Sequence, residues 1–271
     1  MKSILLHMND DAEMQGRMQA ALDLARAFDG HVTCLQAVSY EVFAPGDIYG
    51  STIAAAIPAI KQAAEEFRAR MEADLANEGV SWEWIFAYGM AEHRLLEYSA
   101  LQDVIVVGPR DIGMDEARPS RLVGDLVLRG RTPVLVVPGD QKGFDATGPV
   151  LVGWNGASEA AIALRAALPL LEKASAVYLA SVSEENERER YDFPPVSGAE
   201  YLSRHGIECE MVDIPRGEAP IGEALSSAAQ MRKCTCMVMG AYGHSRLAEL
   251  LLGGVTRQAL TDPQLPILLA H

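Results

Sequence analysis

"CMVMGAYGHSRLAELLLGGVTRQALTDPQLPILLA", residues 236–270, has a short apolar run at each end and four glycines between them. The runs at 236–240 and 266–270 are continuously apolar, which is typical of strands covered on both faces of a parallel sheet. Gly240 and Gly243 follow the first run, and Gly253 and Gly254 precede a helical segment over 255–260. Because glycine inside a helix costs about 1 kcal/mol relative to alanine, we expect turns here, or backbone that approaches another group closely.

The same alternation of apolar runs and helical stretches extends along the whole chain. Further apolar runs bounded by turn residues lie at 3–8, 103–108, 133–138, 149–153 and 176–182. Stretches with helical patterning lie between them, at 12–28, 159–174 and 222–232. Strands that alternate with helices predict an α/β fold with a mainly parallel sheet.

The two halves of the sequence match each other. Three residue pairs occupy equivalent places, at offsets of 146, 132 and 133: Asn9 with Asn155, Gly108 with Gly240, and Pro133 with Pro266. The sequence therefore predicts two tandem doubly wound α/β units, 1–140 and 147–271, each with a five-stranded mainly parallel sheet flanked by helices. We expect the linker at 139–148 and the extra residues of the first unit near 40–60. The units are expected to pair within the chain, with or without a further homodimer.

Composition and charge exclude several classes of function. The chain has 271 residues and a formal net charge of −14, with no cluster of Lys and Arg, so a nucleic-acid partner is not expected. No apolar run approaches the ~20 residues of a membrane span, and the first apolar run is too short for a signal peptide. Four scattered cysteines fit a reducing compartment. We therefore expect a cytoplasmic protein without a membrane partner.

The glycine-rich segment predicts a site for an anion. Ligands of open α/β sheets bind beyond the carboxyl ends of the strands, and the run 236–240 ends at Gly240. A helix that begins after Gly253 and Gly254 presents free backbone N–H groups, including those of Val255 and Thr256. The pattern thus favours a phosphate site built from backbone. The alternative is a kinked helix with ordinary caps.

Residues 240–271 resemble the carboxyl-terminal signature of universal stress proteins, whose ATP-binding branch carries G-x2-G-x9-G-[S/T]. The segment at 150–164, VLVGWNGASEAAIAL, resembles the first strand and turn of that family. The resemblance implies that Gly240, Gly243 and Gly253 are the motif glycines and that Val255 and Thr256 follow them. It places Asn155 where the family's Asp faces adenosine, and Val182 where strand backbone contacts adenine. Gly254 departs from the motif, because it removes one phosphate-facing hydroxyl.

The resemblance implies an adenine-nucleotide-binding protein with a stress-related regulatory role. ATP or another adenine nucleotide, with or without Mg²⁺, would be held in the second unit. His244 and Arg246 are candidates for phosphate contacts, and an exposed helix start is an equal alternative for them. The first unit departs further, since Ser120 aligns with Gly253, Arg121 aligns with Gly254, and Pro109 lacks an N–H. We therefore expect its phosphate site to be lost.

Two other classes of function remain open at this stage: a slow ATPase, or an interaction module that binds no ligand. No catalytic motif is present, and no lysine lies in the glycine-rich loop, so no catalytic residue is assigned. Cys234 and Cys236 lack the partners of a metal site and are expected to be buried thiols. Trp154 is expected in the core or in the wall of the nucleotide pocket.

Overall fold

The strands and helices follow the alternation that the sequence predicts. The computed structural model describes residues 1–39, 51–111, 120–183, 196–215, 217–241 and 254–271. The strands described are β1 (Ser3–Met8), β2 (His31–Val38), β3 (Ser81–Tyr88), β4 (Val104–Val107), β5 (Val134–Val136), β6 (Val150–Gly153), β7 (Val177–Ser183), β8 (Glu210–Pro215), β9 (Cys236–Gly240) and β10 (Ile267–Ala270). The α-helices are α1 (Met14–Phe28), α2 (Ser51–Leu75), α3 (Ala91–Tyr98), α4 (Arg121–Arg129), α5 (Ser158–Leu171), α6 (Ser197–Arg204), α7 (Ile221–Met231) and α8 (Gly254–Thr261).

The strands form one sheet in the order β3-β2-β1-β4-β5-β10-β9-β6-β7-β8. All pairings within the first five strands and within the last five are parallel. Among the strands that the structure describes, one pairing is antiparallel, and it joins the halves, with Leu135 of β5 opposite Leu268 of β10. The expected five-stranded arrangement of each unit is therefore present, and the two units pair edge to edge within the chain. We call residues 1–140 the first half and 147–271 the second half.

Both faces of the sheet are buried, which explains the continuously apolar strands. One core cluster contains residues of α1, α2, α5 and α6, and the other contains residues of α3, α4, α7 and α8. Along β1, Ile4 and Leu6 point into the first cluster and Leu5 into the second. Each cluster contains residues of both halves, so a continuous apolar layer covers each face of the sheet.

Three strands lack the apolar runs that identified the others. β3 and β8 are the edge strands, and each is mostly exposed or partly buried, with one buried residue apiece. β2 lies inside the sheet but carries Thr33 and Gln36, both buried. Gln36 donates a hydrogen bond from Nε2 to the carbonyl oxygen of Ala64 on α2, at 3.1 Å. Polar residues therefore interrupt the apolar sequence of these strands at positions where a helix or solvent supplies their hydrogen-bond partners.

The extra segment of the first half includes α2, a 25-residue helix between β2 and β3. The corresponding helix of the second half, α6, has eight residues. Packing of Phe67, Met71 and Leu75 anchors α2 on the sheet. The sequence predicts the extra residues near 40–60, and α2 begins within that range.

The segment 139–148 between the halves is packed against both of them. Phe144 is buried, and its N–H donates to Asp23 Oδ2 on α1 at 2.9 Å. The hydroxyl of Thr235, in the second half, donates to the carbonyl oxygen of Asp145 at 2.8 Å. The charged and glycine-rich composition of this segment does not by itself predict these contacts.

None of the helices in the described ranges is long and apolar enough to cross a lipid bilayer.

Candidate functional site

A pocket lies at the carboxyl ends of β6, β7 and β9, where the sequence predicts a ligand. It encloses about 180 Å³. Its walls are mainly apolar and include Ala157, Ala180, Ile221, Leu225 and Met239. We call it the second-half pocket. Mostly apolar walls with a few polar groups are typical of sites that bind small molecules.

Five of the residues predicted from sequence line this pocket together: Asn155, Val182, Gly240, Val255 and Thr256. They come from four separate places in the chain, at the ends of β6, β7 and β9 and at the start of α8. Gly254 is the first residue of α8, so the helix begins where the sequence predicts it. Gly243, His244, Arg246 and Gly253 lie outside the described residues, and their roles remain predictions.

Gly240 is required by a close approach of two backbone segments. A Cβ atom at this position would lie 2.5 Å from the carbonyl carbon of Glu159 and 2.6 Å from the nitrogen of Ala160. Both atoms belong to the first turn of α5, so any side chain would push β9 away from this helix. The expected close approach is therefore present, and its partner in this structure is α5. Gly240 shapes the pocket by letting the helix lie against the strand.

The turn between β6 and α5 places Asn155 at the pocket. Asn155 Oδ1 accepts a hydrogen bond from the N–H of Ala157, at 3.1 Å. Gly156 has a φ of +74°, a backbone conformation that residues with a side chain rarely adopt. The Asn-Gly pair thus forms a tight turn that starts α5 and fixes the Asn155 side chain at the pocket's rim.

The pocket also contains residues that the sequence prediction did not assign to it. Glu159, in the first turn of α5, is the acidic residue among the lining residues described. Ile221 and Leu225 reach the pocket from the start of α7. Only their position in the sequence indicates that these residues line the pocket, because helices that follow parallel strands begin at the carboxyl edge of the sheet. Trp154 both belongs to the core and lines the pocket, with 4% of its surface exposed.

The start of α8 closes one side of the pocket. Val255 and Thr256 line it, and Thr256 is buried. Among the described residues, no carboxylate accepts a hydrogen bond from the first N–H groups of α8. The positive end of a helix dipole is therefore next to a mainly apolar pocket, an arrangement that suits an anionic ligand.

The equivalent place in the first half is a crevice lined by charged residues. β1 pairs with β4 in the same register as β6 with β9, since Ile4 lies beside Val104 and Val150 beside Cys236. Continuing these strands makes His7 the counterpart of Gly153. The remaining counterparts are Asn9 with Asn155, Asp11 with Ala157, Glu13 with Glu159, Arg17 with Ala163, and Gly108 with Gly240. We call this region the first-half crevice; it encloses about 380 Å³.

Arg17 occupies the floor of the first-half crevice and is 1% exposed. Its guanidinium donates from Nη1 and Nη2 to the two carboxylate oxygens of Asp11, at 2.7 and 2.8 Å. It also donates to the carbonyl oxygens of His7 and Asn9, both at 2.9 Å. Burial raises the pKa of Asp11, but the hydrogen bonds and charge of Arg17 outweigh it, so the pKa lies below its usual value. Burial, followed by the charge of Arg17, lowers the pKa of His7 to about 3.

A carboxylate of the chain itself occupies the start of α4, the counterpart of α8. Asp111 accepts hydrogen bonds from the N–H groups of Arg121 and Leu122, at 2.6 and 3.4 Å, and from the hydroxyl of Ser120. Ser120 Oγ in turn accepts from the N–H of Val123, at 3.1 Å. The N–H groups that would bind a phosphate in the first half therefore bind an internal anion.

Solved structures resemble this chain over nearly its full length. A universal stress protein from Archaeoglobus fulgidus matches with a TM-score of 0.76 and 17% identity, covering 98% of this chain and 97% of its own. A candidate universal stress protein from Pseudomonas aeruginosa matches with a TM-score of 0.60 and 18% identity, covering 99% and 92%. A functionally unknown protein from the same species matches with a TM-score of 0.58 and 16% identity, over the same shares.

No protein-family model matches the sequence, and no curated protein matches it. Identities below 20% show similarity of fold and leave the ligand undetermined. The resemblance seen in the sequence is thus confirmed at the level of three-dimensional structure: over nearly its whole length, the chain has the doubly wound α/β fold of universal stress proteins.

Proposed function

We propose that this chain is an adenine-nucleotide-binding regulatory protein that holds one nucleotide in the second-half pocket. The observation that carries the proposal is the convergence of Asn155, Val182, Gly240, Val255 and Thr256 on one mainly apolar pocket. The sequence predicts the same five residues as nucleotide-binding candidates. The role in stress regulation follows from the sequence resemblance.

The size and chemistry of the pocket favour a base with its phosphates outside. About 180 Å³ is less than the ~300–1,000 Å³ of typical ligand pockets. An apolar space of this size suits a planar base, with Val182 and Ala180 on one side. The carboxylate of Glu159 can accept hydrogen bonds from ribose hydroxyls. The phosphates would then lie near the start of α8, where the helix dipole favours negative charge.

The chemistry of the first half supports a single site per chain. Asp111 already binds the N–H groups at the start of α4, and Arg17 fills the floor of the crevice. A nucleotide phosphate would have to displace the carboxylate of Asp111. The same backbone arrangement therefore favours a ligand in one half and an internal ion pair in the other.

Calorimetric titration with ATP, ADP and AMP, with GTP for comparison, tests this proposal. We expect one site per chain for AMP, and we expect ADP and ATP to compete with AMP for that site. Val182→Phe fills the second-half pocket and should weaken binding at least tenfold. Ala37→Phe is the matched control, because Ala37 occupies the position of Val182 in the first half and lines the first-half crevice.

Binding that survives in Val182→Phe and is lost in Ala37→Phe would place the nucleotide in the first half. Two equal sites would contradict the assignment to one half. A folded protein that binds none of these nucleotides would favour an interaction module.

A further inference from the structure

A second concave region lies where the two halves meet. It is formed by residues just before β1, β4 and β5, including Asp103 and Pro133, and by Arg165, Ala166 and Pro169 of α5. We call this region the arginine groove. It encloses about 890 Å³, more than either the second-half pocket or the first-half crevice. This volume is within the ~300–1,000 Å³ of typical small-molecule sites.

The groove lies at the same edge of the sheet as the second-half pocket. Because β5 and β10 are antiparallel, the strand beginnings of the first half share an edge with the strand ends of the second half. Helix α5 contributes to both regions: Glu159 and Ala160 line the pocket, and Arg165 lines the groove. The groove is nevertheless separate, because the two regions share none of their lining residues.

The lining of the groove is positively charged. Arg129, Arg131 and Arg165 line it, together with one carboxylate, Asp103. Asp103 Oδ2 already accepts from the backbone N–H groups of Lys2 and Ser3, at 2.5 and 3.1 Å. Three arginines from the end of α4, the following turn and α5 thus converge on one concave surface.

Few acidic partners neutralise these arginines. Nη1 of Arg129 lies 4.0 Å from Oδ1 of Asp125, and both side chains are exposed. Such a pair contributes little free energy because water screens it. Within the described ranges, Arg131 and Arg165 form no ion pair. The chain carries a net charge of −14, so acidic residues to pair with them are abundant elsewhere on it.

The groove also contains an acceptor without a donor. Gln102 lines it, and its Oε1 is buried with no hydrogen-bond partner among the described residues. A buried polar atom without a partner costs about 1–3 kcal/mol, so a donor supplied by a ligand or an ordered water would be stabilising. This observation is independent of the arginine cluster.

We propose that the arginine groove is a second binding site, for a small molecule that carries two or more phosphate or carboxylate groups. Guanidinium groups match these groups geometrically, because their N–H donors form paired hydrogen bonds to two oxygens. Three guanidiniums around about 890 Å³ can contact more than one oxyanion at once. A positive cleft on an acidic protein also concentrates anions locally. The proposal does not depend on nucleotide binding in the second-half pocket.

Calorimetric titration with pyrophosphate and, separately, with citrate tests the groove. We expect one site per chain, with affinity that falls between 50 and 200 mM salt. The double variant Arg131→Gln/Arg165→Gln should raise the Kd at least tenfold. The control is Arg204→Gln, because Arg204 is 73% exposed and lies 3.8 Å from Glu200 on the same helix, outside the groove. It should leave the Kd unchanged.

The two probes separate the two oxyanion chemistries: tighter binding of pyrophosphate identifies phosphate groups, and tighter binding of citrate identifies carboxylates. Failure to bind either probe overturns the proposal. Binding that the double variant retains, or that Arg204→Gln weakens equally, also overturns it. ATP and ADP belong to the ligand class proposed for the groove, whereas AMP carries a single phosphate group. AMP titration of the double variant therefore keeps the two proposals distinct: its affinity should be unchanged, since neither Arg131 nor Arg165 lines the second-half pocket.

Discussion

The carboxyl ends of the strands in the two halves share one backbone arrangement and differ in chemical content. In the first half, the ionisable side chains of Arg17, Asp11 and His7 line the crevice. In the second half, their counterparts are Ala163, Ala157 and Gly153, and an apolar pocket is present. Asp111 binds the start of α4, and no described carboxylate binds the start of α8. The difference teaches that one fold can carry either a charged crevice with an internal ion pair or a mainly apolar pocket at the same place.

The energetic roles of the two regions differ accordingly. A buried ion pair has a large desolvation cost, and its attraction and hydrogen bonds must offset that cost. Arg17 meets this condition with hydrogen bonds to a carboxylate and two carbonyl oxygens. The ion pair of Arg17 and Asp11 therefore stabilises the folded state as long as both side chains are present. The second-half pocket has no such network among the described residues, and a ligand can supply polar contacts there.

Removal of Arg17 should have the largest effect on stability. Arg17→Ala leaves the carboxylate of Asp11 and two carbonyl oxygens without their donor, which should lower the free energy of unfolding by about 3–5 kcal/mol. Denaturation by urea, followed by circular dichroism, measures this change. Arg204→Ala is the control, and its exposed ion pair should contribute less than about 1 kcal/mol.

Equal effects of Arg17→Ala and Arg204→Ala would contradict the view that the first-half crevice is held together by its buried ion pair. Nucleotide affinity of the folded Arg17→Ala protein should stay unchanged, since Arg17 does not line the second-half pocket.

His7 should make the stability of the first half depend on pH. Its pKa is lowered to about 3 in the folded protein, by burial and by the charge of Arg17, with Asp11 acting in the opposite direction. The unfolded chain takes up a proton near pH 6.5, and the folded chain does not. The contribution of His7 is therefore fully present above about pH 6.5 and is lost progressively as the pH falls toward 3. Between pH 7 and pH 5 the loss should be about 2 kcal/mol.

The difference in unfolding free energy between wild type and His7→Gln, measured from pH 7 to pH 5, isolates this contribution from the other titrating groups. His205→Gln, at an exposed position, shows whether loss of any histidine has the same effect. If the unfolding free energies of the two variants had the same pH dependence, the assignment of His7 as a buried neutral side chain would be contradicted.

Asp111 should have the smallest effect of the three. Asp111→Ala removes the carboxylate that binds the start of α4 and should lower the free energy of unfolding by about 1 kcal/mol. Asp111→Asn keeps a hydrogen-bond acceptor and should lower the free energy of unfolding by a smaller amount. Thermal or urea denaturation measures both, with Asp140→Ala as an exposed acidic control. No loss in Asp111→Ala would mean that this carboxylate does not act as an internal replacement for a bound anion.

The sequence was most informative where burial was complete. The apolar runs at 3–8 and 236–240 coincide with β1 and β9, because strands covered on both faces need apolar residues throughout. The sequence does not identify β3 and β8, because these edge strands are mostly exposed or partly buried and carry polar residues among their apolar ones. The sequence predicts only part of the lining of the second-half pocket. Its glycines and turn residues carry a local conformational signal, whereas Ile221 and Leu225 look like any other core residues of a helix.

The sequence by itself determined the α/β class and the repeated halves, and it predicts the carboxyl edge of the strands as the place for a ligand. These properties depend on local patterning, which each segment carries independently of the others. Only the tertiary structure decided that β5 and β10 join the halves into one sheet. It also decided that Asp111 reaches the start of α4 and that Gly240 lies against the first turn of α5. These contacts join segments that are distant in sequence, so packing, and not local propensity, determines them.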